Sequence, residues 1–183
     1  MNRREVIRLV SLATGAAISA PLMGSLLTGC KTDKKTDLDY VLKFFNENEF
    51  NYISTIVDLI LPKTNSPSAT DVEVHKIIDS MLATVYKPHE KKAYRNTLSS
   101  LIKFLSDKNF LDLKADMQKE ILQNLNNSSE AVKVGYLELK QQTIAYYLST
   151  EEIGENYLNY LPVPGKYEPC ITLEETGGKA WAI

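Results

Sequence analysis

Asn46-Glu47-Asn48-Glu49-Phe50-Asn51-Tyr52-Ile53-Ser54-Thr55-Ile56-Val57-Asp58-Leu59-Ile60-Leu61-Pro62 is the stretch that decides the fold class. Asn46 followed by Glu49 has the spacing of a capping box, in which each side chain accepts the other residue's backbone N–H. Phe50, Ile53, Val57 and Ile60 then recur at i, i+3, i+7 and i+10, which is one face of a helix. Pro62 ends the helix, because the residue before a proline is pushed out of the α region. Lys63 to Ser68 is loop by composition.

The same period recurs downstream. A second helix is expected from Asp71 to about Tyr86, with Val74, Ile77, Ile78, Met81 and Leu82 inward. Pro88 suits the first turn of a third, which carries Tyr94, Leu98, Leu101, Ile102 and Leu105. Asp112 is placed to cap a fourth, with Met117, Ile121, Leu122 and Leu125 inward. Asn127 and Glu130 repeat the capping spacing before a fifth, whose stripe is Val132, Tyr136, Leu139, Thr143 and Tyr146. Ser149 and Glu152 open a short sixth helix towards Tyr160. No alternating run of strand length stands out. The expectation is an all-α domain, a small bundle of five to six helices over residues 44–183, ending in an irregular arm.

The arm follows from Pro162, Pro164, Gly165, Pro169, Gly177 and Gly178, which exclude regular helix. It is nevertheless apolar, with Val163, Tyr167, Cys170, Ile171, Leu173 and Trp181, and such a tail packs on its own domain or on a partner. Tyrosines also concentrate in the final third, and tyrosine suits interfaces where a ring is buried and its hydroxyl is wet. Tyr147, Tyr157, Tyr160, Pro164, Gly165, Tyr167, Cys170 and Trp181 are therefore the candidate partner interface.

At the other end, Arg3-Arg4-Glu5-Val6-Ile7-Arg8 precedes a mildly apolar run from Leu9 to Leu26, then Leu27-Thr28-Gly29-Cys30. Paired arginines, an apolar run and small residues form an export address. Leu27 to Cys30 resembles a bacterial lipobox, cut before the cysteine, with lipid then joined to its sulfur. Arg3 and Arg4 resemble the twin-arginine signal, which exports folded proteins. Residues 1–29 are thus read as signal, and 30–43 as a lipidated tether on the periplasmic face of a membrane.

The whole chain has formal charge −2. Residues 1–29 hold Arg3, Arg4 and Arg8 against Glu5, a net +2, so the mature side chains sum to −4. No basic stripe of the kind nucleic-acid binding needs is present. With Cys30 acylated, Cys170 is the remaining cysteine, read as a buried thiol or one paired with another chain. His75 and His89 sit in no ligand-spaced cluster, which speaks against a zinc or iron site. The glycine-rich phosphate loops, Cys-x-x-Cys-His and iron–sulfur spacings are missing too. Glu151-Glu152 belongs to a first helical turn, where the macrodipole favours acids. No catalytic, cofactor-binding or metal residue is assigned.

The run Ile60-Leu61-Pro62-Lys63-Thr64-Asn65-Ser66-Pro67-Ser68-Ala69 resembles the Ile-Pro-x-Thr-Asp-x-Pro-Gly-Ala segment of the gluconate 2-dehydrogenase subunit 3 family. Tyr147-Leu148-Ser149-Thr150-Glu151-Glu152-Ile153-Gly154 is similar to that family's Tyr-Thr-Ser-Glu-Ile-Gly. Pro162 to Cys170 and Lys179-Ala180-Trp181 resemble its Pro-Gly-x-Tyr, Cys and terminal Ala-Trp pattern. Asn65, Ser68 and Pro169 depart from the usual Asp, Gly and Gly. The resemblance implies a non-catalytic accessory subunit. It would escort, stabilise and tether a periplasmic sugar or alcohol dehydrogenase, whose large subunit of the glucose–methanol–choline type holds FAD. A cytochrome c carrying haem often receives the electrons in such complexes. Two rival readings are a stand-alone surface lipoprotein that binds a sugar or other ligand, and an enzyme using Cys170.

Overall fold

The computed structural model describes residues 40–163, 165, 166 and 170–182. The expected signal, with Arg3 and Arg4, and Cys30 lie outside the described residues, as do most of the tether, Pro164 and Tyr167. Among the described residues there are six α-helices and no strand. They are α1 (Glu47–Ile60), α2 (Val74–Thr84), α3 (Pro88–Ser106), α4 (Ala115–Gln123), α5 (Glu130–Leu148) and α6 (Glu151–Asn156). None is long and apolar enough to cross a membrane.

Local chemistry sets the start and stop of α1. Asn46 Oδ1 accepts the Glu49 N–H at 2.9 Å, and Glu49 Oε2 accepts the Asn46 N–H at 3.0 Å. The helix ends at Ile60, two residues before Pro62. Tyr52, Ile53, Ile56 and Val57 form its buried face, with Phe50 and Ile60 on the flanks. Burying an aliphatic side chain of this kind contributes about 1.5–3 kcal/mol, so this stripe fixes how α1 lies on its neighbours.

The second helix starts at Val74, later than expected. Asp71 stays in the loop, where its carboxylate accepts the Ser68 N–H at 3.1 Å and pairs with Lys63 at 3.1 Å. Glu73, at φ 59°, turns the chain into α2. Val74, Ile78 and Leu82 are buried as expected, but His75 and Asp79 share that face, and Ile77 and Met81 are half-buried. Asp79 is fully buried. Its carboxylate accepts the backbone N–H groups of Lys43 at 2.8 Å, Phe44 at 2.9 Å and Phe45 at 2.8 Å. Those three donors make burial of the charge tolerable.

Pro88 opens α3, and Tyr94, Leu98, Leu101 and Leu105 are buried. Of the residues expected inward around α4, Leu122 and Leu125 are buried and Ile121 packs against the core, and Met117 is the exception. Asp112 closes a 3₁₀ turn, Phe110–Asp112, and Lys114 is the N-cap of α4. Gln118 is buried because its Nε2 donates to the Phe110 carbonyl at 2.8 Å, and Met117 faces outward. Two further expected caps are also displaced. Ser129 precedes α5 and Thr150 precedes α6, neither with a side-chain cap bond.

The most extensive helix contact joins α3 to α5. The buried stripe of α5 is Val132, Gly135, Leu139, Thr143 and Tyr147, so Tyr136 and Tyr146 fall on its half-buried flanks. Gly135 sets the closeness of the crossing. A Cβ there would lie 2.7 Å from the Thr97 carbonyl oxygen, nearer than real Cβ atoms come.

Candidate partner interface

The residues expected at the interface separate into two groups. Tyr147 is an interior residue: its ring is buried in α5 and its hydroxyl donates to the Pro67 carbonyl at 2.7 Å. It therefore fastens the 62–73 loop to the bundle and is not free to meet a partner. Tyr157 is half-buried against the core. Tyr160, Gly165, Cys170 and Trp181 are exposed. The exposure of the free Cys170 thiol corrects the expectation of a buried one.

Other tyrosines serve the interior as well. Tyr94 donates to Gln142 Oε1 at 3.1 Å, and Gln142 Nε2 donates to Tyr86 at 3.0 Å. Burial, and then the neighbouring Glu138 carboxylate, hold the Tyr94 phenol well above its ordinary pKa. Burial, and then Tyr86, raise Tyr146.

Beyond α6 the chain makes a turn stabilised by its own polar groups. The Thr172 N–H donates to Glu175 Oε2 at 2.6 Å, and Gly178 N–H to the Leu173 carbonyl at 2.8 Å. The Thr172 N–H, and then its hydroxyl, hold the Glu175 carboxyl below its ordinary range. Gly177 and Gly178, at φ +62° and +76°, supply the left-handed backbone that a side chain would resist.

This turn returns to the end of the bundle at Asn159. Asn159 and Trp181 form an isolated parallel bridge. The Asn159 N–H donates to the Ala180 carbonyl at 2.8 Å, and the Ala182 N–H to the Asn159 carbonyl at 2.9 Å. The Asn159 side-chain amide donates to Thr176 O at 2.8 Å and Lys179 O at 3.0 Å. Lys179 Nζ donates to the Asn156 carbonyl at 3.2 Å. The bridge register sets Trp181 opposite Asn159.

The chain on either side of this bridge is rich in apolar side chains left in water. Val163 is 80% exposed, Leu173 70% and Trp181 51%. Tyr160, Leu161 and Ile171 are exposed beside them in the same segment. Scattered exposed leucines need no explanation, and a run of large exposed apolar side chains along one segment is the less ordinary case.

Acid–base residues gather elsewhere, around the 62–73 loop and the first turn of α6. Glu151 and Glu152 are exposed in the first turn of α6. Glu152 lines an open cleft of about 500 Å³ with Lys63, Asp71 and Glu73. Among the described residues, no group of three or more His, Cys, Asp or Glu side chains is placed to hold a metal ion.

The family model described as gluconate 2-dehydrogenase subunit 3 matches residues 47–165. The chain belongs to the gluconate 2-dehydrogenase subunit 3 family. The matched stretch runs from the start of α1 to Gly165 and takes in the Pro62–Ala69 loop and the Tyr147 that fastens it. The name of the gluconate 2-dehydrogenase subunit 3 family implies a subunit of a dehydrogenase complex. Residues 166–183, including Cys170 and Trp181, lie outside the match. No curated protein and no solved structure matched the chain.

Proposed function

We propose that this chain is the non-catalytic small subunit of a periplasmic FAD-dependent sugar or alcohol dehydrogenase of the gluconate type. It escorts, stabilises and tethers the large flavoprotein subunit, which holds the FAD. A cytochrome c carrying haem is the proposed electron acceptor. The observation that carries the reading is the family match combined with the exposed apolar set Tyr160, Leu161, Val163, Ile171, Leu173 and Trp181. A family of subunits needs a face for another subunit. The six exposed apolar residues of the exit segment follow closely on one another along the chain, whereas Val85, Met117 and Leu137 are exposed as separate residues of the helical body.

The leader supplies the address in this proposal. Arg3 and Arg4 direct the twin-arginine route, which carries a folded pair, and lipid on Cys30 holds the pair at the periplasmic face of a membrane. Lipid on a single cysteine tethers two proteins only if they bind each other. Replacing the arginines, Arg3→Lys with Arg4→Lys, is expected to leave the flavoprotein in the cytoplasm, measured by fractionation and FAD content. Continued export of the flavoprotein would overturn the escort role. Cys30→Ala is expected to move dehydrogenase activity from the membrane to the soluble periplasmic fraction.

A further inference from the structure

We infer that Asn159 is a clasp that holds residues 171–182 as a preformed partner-binding loop, and that this clasp determines how tightly the large dehydrogenase subunit is bound. The inference rests on the partner reading above and adds to it the residue that positions the surface.

Asn159 makes four hydrogen bonds to the returning chain, two through its backbone and two through its side-chain amide. Those contacts gather Thr176, Lys179, Ala180 and Ala182 onto one residue. Burial contributes little to holding the loop. The hydrophobic core and its flanking residues extend no further along the chain than Leu158 among the described residues. Ile171, Leu173 and Trp181 point into water. The loop is therefore kept closed by polar bonds at a half-exposed position, where water competes for each of them. A segment with few buried contacts and exposed hydrogen bonds lies at the low-stability end of a structure.

The arrangement is informative because closure covers these apolar side chains only in part in the free protein: Leu173 stays 70% and Trp181 51% exposed. Closure pairs Trp181 with Asn159 and holds Trp181 and Leu173 with much of their surface in water, available to a second protein that buries them. An open chain would have to be ordered at the moment of binding, and that ordering weakens association. A preformed loop avoids that penalty. Asn159 acts through Trp181 and its neighbours and is a positioning residue.

The side-chain amide donates both of its bonds to carbonyls, which makes Asn159→Asp a sharp test. The substitution keeps size and leaves the backbone pair, but presents a carboxylate to the Thr176 and Lys179 oxygens. Trp181 is the chain's one tryptophan, so its fluorescence anisotropy in the full chain reports closure directly. Asn159→Asp is expected to lower that anisotropy and to speed hydrogen exchange at the Ala182 N–H, with the bundle's melting temperature unchanged. The large subunit, co-produced and titrated against the variant, is expected to bind about tenfold more weakly, a change worth about 1.4 kcal/mol. Unchanged anisotropy and exchange would overturn the clasp. An opened loop with unchanged affinity would overturn its role in binding while leaving the partner reading intact. Unchanged affinity in Leu173→Ala with Trp181→Ala as well would remove residues 171–182 as the binding surface, whereas no binding of the large subunit by the native chain would remove the partner reading itself.

Discussion

The two ends of the helical bundle are fastened by the same device in opposite surroundings. At the entry, the Asp79 carboxylate takes three successive backbone N–H groups, from Lys43, Phe44 and Phe45, and is fully buried. Arg95 completes that end, with its guanidinium 4.3 Å from the Phe44 ring centre and bonded to the Phe44 carbonyl at 2.6 Å. At the exit, Asn159 makes four bonds to the returning backbone, but from a half-exposed position. Burial separates them. An unmet polar group in the interior carries its full desolvation cost, whereas a broken bond at the surface is replaced by water. The entry is thus a permanent joint and the exit a conditional one, which is where a subunit interface belongs.

Breaking the entry should have the largest effect. Asp79→Ala leaves three backbone donors without their carboxylate and is expected to cost about 3 kcal/mol or more, read from the denaturant midpoint. Asp79→Asn, which retains one acceptor oxygen, should cost less. A loss for Asp79→Ala as small as that for Asn159→Asp would erase the distinction between the two ends. Gly135→Ala tests the core between them. The added methyl meets the Thr97 carbonyl, for an expected cost of about 1–3 kcal/mol. Gly165→Ala, where nothing lies within 4 Å, should stay within about 0.5 kcal/mol of the native chain.

Tyr147→Phe removes one buried hydrogen bond, to Pro67, and should cost about 1 kcal/mol, with faster exchange confined to the 62–73 loop. The smallest effect is an acid one in that same loop. The Ser68 N–H, and then Lys63, hold the Asp71 carboxyl below its ordinary value. A depressed folded pKa means that the contribution is present above the unfolded value and is lost as pH falls through the folded one. Loosening should therefore begin only as pH drops below the usual carboxylate range, about 3.9. An NMR titration that followed an unshifted carboxyl would contradict the loop geometry.

Local signals carried most of this architecture. The Asn46–Glu49 box, Pro62 and Pro88 act within a few residues of themselves, so their effects could be read directly from the chain. Gln118 could not, because its burial depends on a carbonyl eight residues away, and apolar identity pointed to Met117 instead. Asp79 was hidden for the same reason, its donors lying 34 to 36 residues earlier. Gly135 did leave a trace: a glycine at i+3 between Val132 and Leu139 is what a close helix crossing needs. Composition drew attention to the exit segment, but the tyrosines there mixed two roles. Tyr147 packs inward while Tyr160 faces out, and only the rotation of α5 and the end of α6 separates them. Asn159 carried no sequence signal, since its partners follow 17 to 23 residues later across a turn made by Gly177 and Gly178.

The central claim is that the exit segment binds the large dehydrogenase subunit, and co-purification tests it most directly. The full chain carrying Leu173→Ala and Trp181→Ala, both exposed positions, is co-produced with the large flavoprotein subunit and recovered through the small one. The account predicts a variant that melts with the native chain but recovers little or no FAD-containing partner. Recovery of the flavoprotein at native stoichiometry would contradict it.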